Sequence, residues 1–179
     1  MEHTTEVKNL LQQTVDSLCK SRYYEEEAMC IAQRIGLQGE KRRMRYDSVK
    51  CTNLIHHLLC DAYDAYGITI EMKETHVSTP TITNFSGYFN TVLGFYESKY
   101  DTLHGIANKL VLANAKSYAE KLYCICGCVM DDIRYFRRTI AEGKLNNWDA
   151  SWILLHETTD HNVHDHMEEK EKGVGYNFE

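Results

Sequence analysis

The sequence predicts an all-α protein: four long helices in one bundle, with a single long crossover between the second and the third. Three observations carry that expectation. One proline, Pro80, stands among 179 residues, near the middle of the chain. Proline removes a backbone donor and clashes with the preceding turn of a helix, so its absence elsewhere permits long uninterrupted helices. Pro80 lies in a stretch from Gly67 to Asn84 that breaks the helical pattern. On each side of that stretch, apolar residues recur at helix-like spacing in two segments. Two helices, one long connection and two further helices make a four-helix bundle.

The elements follow in order. The first helix is expected from about Thr4 to Ile35, burying Val7, Leu11, Thr14, Leu18, Ala28 or Met29, Ala32 and Ile35. Gly36-Leu37-Gln38-Gly39 then breaks the pattern. A glycine after a helix takes the left-handed cap without a side-chain clash, and so short a break makes the next helix an antiparallel neighbour. The second helix runs from about Gln38 to Tyr66 along Met44, Ser48, Cys51, Ile55, Leu58, Ala62 and Ala65, and Gly67 ends it. Lys41, Arg42, Arg43 and Arg45 near its start read as a solvated basic face. Ile68 to Met72 reads as a short extended segment.

Asn84 or Thr83 caps the third helix, which reaches about Asn114 along Phe85, Phe89, Val92, Tyr96, Tyr100, Leu103, Ala107 and Leu110. The fourth, from about Ala115 to Glu142, buries Leu122, Ile125, Val129, Ile133, Phe136 and Ile140, and Gly143 stops it. Gly127 inside it weakens a helix by roughly 1 kcal/mol relative to alanine and is expected to admit a close helix approach. Trp148 to Leu155 reads as a short packing helix. The division is thus a bundle over residues 1–155 and a His-rich acidic tail over 156–179.

Composition narrows the function. The chain is 43% hydrophobic, which suits one domain with a full core. A net charge of −6 with 26% charged residues favours a soluble protein and argues against a general nucleic-acid or lipid-surface binder. No apolar run approaches the roughly 20 residues that span a bilayer. The polar start, Met1-Glu2-His3-Thr4-Thr5-Glu6, lacks the basic and apolar regions of a signal peptide, so a cytoplasmic location is expected. Seven cysteines cannot all pair within the chain, and reduced thiols are the expectation.

Two clusters invite a metal reading. Cys124, Cys126 and Cys128 alternate, but on a helix only Cys124 and Cys128 share a face, so structural thiols are the reading adopted. In the tail, His161 and His164 have the spacing to share a helical face and bind a divalent metal weakly, beside Asp160 and Asp165; the other reading is a solvated polar tail. No Gly-rich phosphate loop and no Gly-x-Ser-x-Gly occurs.

The punctuation of the helices resembles that of non-haem ferritins. Ala32-Gln33-Arg34-Ile35-Gly36-Leu37-Gln38-Gly39 is similar to the turn between that family's first two helices. A gapless match from there places Tyr66-Gly67-Ile68 on the Gly-Gly-hydrophobic end of the second helix. Ala141-Glu142-Gly143 resembles the end of the fourth. The likeness covers roughly residues 5 to 155. It implies a ferritin-like fold, iron as the metal handled, and a homo-oligomer or co-assembled shell; composition argues against nucleic-acid and membrane partners.

The same match also implies where a di-iron centre would lie. The first-helix glutamate falls at Leu18, and the second-helix Glu-x-x-His falls at Cys51 and Leu54. Glu97 falls at the third-helix glutamate, and Asp131 and Asp132 at the acidic end of the fourth-helix pattern after a one-residue adjustment. Ferrous and ferric ions favour carboxylate oxygen with imidazole as a partner, so half of the site has its ligands and half does not. If the third and fourth helices meet near residue 114, Glu97 stands level with Asp131 or Asp132. These carboxylates either face one another inside the bundle or flank it and touch water. Asp132, in line with Ile125, Val129 and Phe136, points inward.

Glu25 continues the buried line of the first helix, which raises a displaced set of Glu25, His57, Glu97 and Asp132. It is rejected because Glu25 lies two turns, about 10 Å, from the family's ligand position. Glu25-Glu26-Glu27 then reads as a solvated run with at most one member turned inward. The expectation is a ferritin-like protein of iron binding and storage with a degenerate di-iron site and weak or absent ferroxidase activity. The alternatives are a helical binding or thiol-redox-responsive module without an iron role, and a mixed-ligand metalloprotein using Cys51 with Glu97.

Overall fold

The computed structural model describes residues 2–73, 76–78 and 81–158, with side chains from Thr5 onward. Four long helices form the body: α1 (Glu2–Ile35), α2 (Gln38–Tyr66), α3 (Phe85–Leu112) and α4 (Lys116–Leu145). A short helix, α5 (residues 150–158), follows. No helix among the described residues is long and apolar enough to cross a membrane.

The apolar lines dictate the packing. Leu11, Leu18 and Ala32 of α1, Met44 and Ile55 of α2, Phe89, Val92 and Leu103 of α3, and Leu122 and Phe136 of α4 all fall in one core. The main contacts pair α1 with α2 and α3 with α4, and α1 also meets α3. Gly36 (φ 89°) and Gly67 (φ 62°) both take the left-handed cap conformation, in which a side chain would be strained. At Gly67 the chain closes two terminal carbonyls: its N–H bonds to the Tyr63 carbonyl, and the Ile68 N–H to that of Ala62.

The crossover carries no strand among its described residues, yet it keeps an alternating inward set. Ile68 and Ile70 are buried, as is Ile82 further on. Gln12 of α1 ties it down from both sides: its Nε2 donates to the Glu71 carbonyl at 2.7 Å, and its Oε1 accepts from the Glu71 N–H at 3.0 Å. Asn84 is the cap of α3, its side chain accepting from the Gly87 N–H at 2.7 Å. Pro80 lies outside the described residues.

Several expectations need correction. Ala65 is exposed, because the last turn of α2 overhangs the core. Arg43 is not part of a solvated basic face but is buried beneath α4. Of the three alternating cysteines, Cys126 is buried while Cys124 is exposed and Cys128 intermediate, as helical geometry requires. Gly143 does not stop α4, which runs on to Leu145; a Cβ at Gly143 would meet the Trp148 ring at 2.5 Å. Gly127 admits no close approach, since nothing lies within 4 Å of a Cβ placed there.

The two glycines therefore separate cleanly in a stability measurement. Gly127→Ala is expected to raise stability by about 0.5–1 kcal/mol through helix propensity alone. Gly143→Ala is expected to lower it by about 1–2 kcal/mol, because displacing Trp148 outweighs the same propensity gain. Equal effects of the two substitutions in urea unfolding would refute this assignment.

Residues 146–149 turn the chain back, with Asn147 (φ 50°) and Trp148 (φ 53°) in left-handed conformation. The Trp148 N–H bonds to the Gly143 carbonyl, and its ring stacks on Phe89 at 5.7 Å. Helix α5 consequently lies on the end of the bundle. It runs past residue 155, so His156 and Glu157 pack with the bundle rather than with the tail. Residues 159–179, including His161 and His164, lie outside the described residues.

Candidate functional site

All four long helices send polar groups toward the middle of the bundle. Glu25 comes from α1, Asp47 and Cys51 from one face of α2, and Tyr96 and Lys99 from α3, all buried, with the part-buried Asp132 of α4 at their edge. Lys99 is the hub. Its ammonium lies 2.8 Å from Glu25 Oε1, 3.5 Å from Cys51 Sγ and 5.3 Å from the centre of the Tyr96 ring. The Cys51 thiol donates to Glu25 Oε1 at 3.8 Å. Glu25 is fully buried, and its Oε2 has no hydrogen-bond partner among the described residues. Beside this group, the Tyr96 hydroxyl donates to Asp47 Oδ2 at 2.5 Å, and Arg43 Nη1 donates to Asp132 Oδ1 at 3.3 Å.

Burial sets the charge states. Removal from water pushes the Glu25 carboxyl up, with Lys99 opposing and Asp47 adding to the rise. It also pushes the Cys51 thiol up to about 12, so this sulfur stays protonated at neutral pH. Burial alone would pull Lys99 down, but the acidic surroundings and the hydrogen bond to Glu25 push it up, and the ammonium stays charged. Asp132 is pushed up to about 7 by burial and by Asp47, against the pull of Arg43.

This donor set does not fit a di-iron centre. The rejection of Glu25 as too distant is overturned: it is Glu25, not Leu18, that meets Cys51 across the bundle, while Leu54 is buried and offers no ligand atom. Cys51 is a protonated thiol held between a carboxylate and an ammonium, and the lysine already supplies a fixed positive charge beside both. Glu97 turns to the surface, its side chain 40% exposed and held by Arg137 at 2.7 Å. Asp131 is exposed and paired with Arg134. Asp132 alone of that trio turns toward the core, part-buried against Arg43. Cys51 and Glu97 have different partners and share no site. His56 and His57 are exposed, while Glu25 is the one inward member of its acidic run.

Sequence reasoning missed Lys99 and Asp47. The signal existed: Lys99 lies three residues after Tyr96 and four before Leu103 on the buried line of α3, and Asp47 lies four before Cys51.

A second polar cluster lies where α5 closes the bundle. Glu40, His156 and Glu157 present ligand atoms that all lie within 4.8 Å of one another. The Tyr135 hydroxyl donates to Glu40 Oε1 at 2.6 Å and lies 2.9 Å from His156 Nε2. The Gly39 N–H donates to Glu157 Oε2. Arg43, its guanidinium 3.7 Å from the Tyr135 ring centre, approaches Glu40 Oε1 at 3.9 Å.

The architecture defines a four-helix bundle with one long crossover, a short fifth helix and a polar interior. Comparison with solved structures finds the same fold in ferritins. A ferritin from Archaeoglobus fulgidus engineered into a closed form superposes with a TM-score of 0.74 at 12% identity, covering 86% of this chain and 93% of that one. Apo-ferritin from Pseudo-nitzschia multiseries gives 0.72 at 12% identity, covering 87% and 98%. An open-pore ferritin from Archaeoglobus fulgidus gives 0.70 at 11% identity, covering 89% and 94%. No protein-family model and no curated protein sequence matches the chain. The fold is ferritin-like.

Proposed function

We propose that this chain is a ferritin-like subunit for iron binding or storage that does not oxidise iron inside its own bundle. One observation carries the second half of that reading. The Lys99 ammonium sits 2.8 Å from the buried Glu25 carboxylate, so the interior holds a built-in cation in place of a metal pair. A lysine ammonium neutralises a buried carboxylate but cannot exchange electrons or bind oxygen. The first half is supported by the ferritin-like fold and by a net charge of −6, which suits a cationic cargo. Assembly into a homo-oligomer or a mixed shell belongs to the same reading.

Two measurements test it. Ferrous iron mixed with the purified protein in air is expected to oxidise no faster than in buffer. A fast stoichiometric phase that disappears in Asp132→Ala or Glu25→Ala would refute the silent interior. Light scattering is expected to give a large spherical assembly, and a monomer or dimer would remove the storage half of the reading.

A further inference from the structure

We propose that Glu40, His156 and Glu157 bind a single divalent transition-metal ion that fastens α5 to the start of α2. The inference is independent of any iron role, since none of these residues belongs to the bundle centre.

The chemistry of the three donors comes first. Two carboxylates and an imidazole suit ions such as zinc or cobalt, whereas calcium and magnesium prefer oxygen alone. Metal–ligand bonds of about 2.0–2.2 Å leave donors about 3.3 Å apart in a tetrahedron, so a cluster within 4.8 Å needs only a small contraction. Three protein ligands leave one position for water.

The surroundings are prepared for a cation. Glu40 is fully buried and Glu157 nearly so. Buried carboxylates brought this close need positive charge or protons between them. Arg43 supplies one positive charge near Glu40 and divides it with Asp132. A second observation is independent of the cluster itself. The Tyr88 hydroxyl is fully buried and has no hydrogen-bond partner among the described residues. Burial, and then the charges of Glu40, Tyr24 and Glu157, hold its proton on. A water on the open metal position is the partner that would satisfy it.

The imidazole is also held in place beforehand. His156 stacks on Trp152 (5.3 Å, 19°) and Tyr135 (5.9 Å, 26°) and meets the edge of Phe89 at 6.0 Å. Tyr135 bridges Glu40 and His156, the role that an outer partner plays in fixing metal-ligating histidines. Glu40 and His156 are far apart in sequence, so an ion bound by both would act as a clasp on the fold.

The test uses full-length protein, stripped with a chelator and titrated with zinc by calorimetry and with cobalt by visible absorption. One ion per chain is expected, with a cobalt spectrum lacking thiolate charge-transfer bands. His156→Gln and Glu40→Gln are each expected to weaken zinc binding at least tenfold. The tail variant His161→Gln/His164→Gln is expected to keep it. Zinc should raise the Tm of the unaltered protein by several degrees and leave that of His156→Gln unmoved. Should Glu40→Gln fail to fold, His156→Gln decides, because His156 is only half-buried. Absence of binding, thiolate bands with cobalt, or binding lost in the tail variant but retained in His156→Gln would overturn the assignment.

Discussion

Lys99→Met is expected to destabilise the protein by about 3–5 kcal/mol at pH 8, the range seen when one partner of a buried ion pair is removed. For a chain of this size that corresponds to a fall in Tm of roughly 10 °C. The cause is the carboxylate left behind. Glu25 is fully buried, and without the ammonium at 2.8 Å it retains only the weak thiol donor of Cys51. The double variant Glu25→Met/Lys99→Met is expected to recover most of the loss, because replacing a buried pair with apolar groups of similar volume is often neutral or better. The single variant should also lose less at pH 5, where Glu25 takes up a proton. A loss below about 1 kcal/mol for Lys99→Met, or a double variant less stable than the single one, would sink the claim that this pair organises the interior.

Thermal stability is expected to fall as pH rises from 5 to 8, by about 1–3 kcal/mol. Glu25 and Asp132 both hold their protons more tightly in the folded protein than at their ordinary values of 4.5 and 3.8, each rising to about 7. Between those limits the folded state therefore binds more protons than the unfolded one, so raising the pH favours unfolding. The contribution is complete near pH 4 and gone once pH passes about 7. Facing Asp132 are Asp47, Arg43 and Lys50 from α2 and Lys99 from α3; facing Glu25 are Lys99, Asp47 and Cys51. Lys99 moves upward from 10.5, so it stays charged throughout this window and adds no slope. Asp132→Asn, which mimics the protonated acid, is expected to flatten the profile. The measurement is Tm by calorimetry across that range. A wild-type Tm that climbs with pH, or an unchanged slope in Asp132→Asn, would contradict the charge assignment.

Much of the fold was legible in the sequence because its signals are local. Helical spacing put Leu11, Leu18, Ile55, Phe89 and Leu122 inside, and they are inside. Gly36 and Gly67 marked helix ends because left-handed backbone favours glycine. Gly143 and Gly127 misled, since sequence cannot tell a glycine that ends a helix from one that makes room for Trp148 or faces open space. The interior was harder. The gapless match to ferritin punctuation drew attention to Glu97 and Asp131, which the structure pairs with surface arginines. A one-residue difference in register turns a helical side chain by about 100°, enough to move a carboxylate from core to solvent.

Long helices, their order and the crossover follow from the chain alone, because periodicity and glycine placement act over a few residues. Which charges meet was decided only by folding. Glu25 and Lys99 are 74 residues apart, and Gly39 and Glu157 are 118 apart. No local preference encodes such pairs. They arise when packed helices bring buried charges within a few ångströms in a medium too apolar to leave them uncompensated.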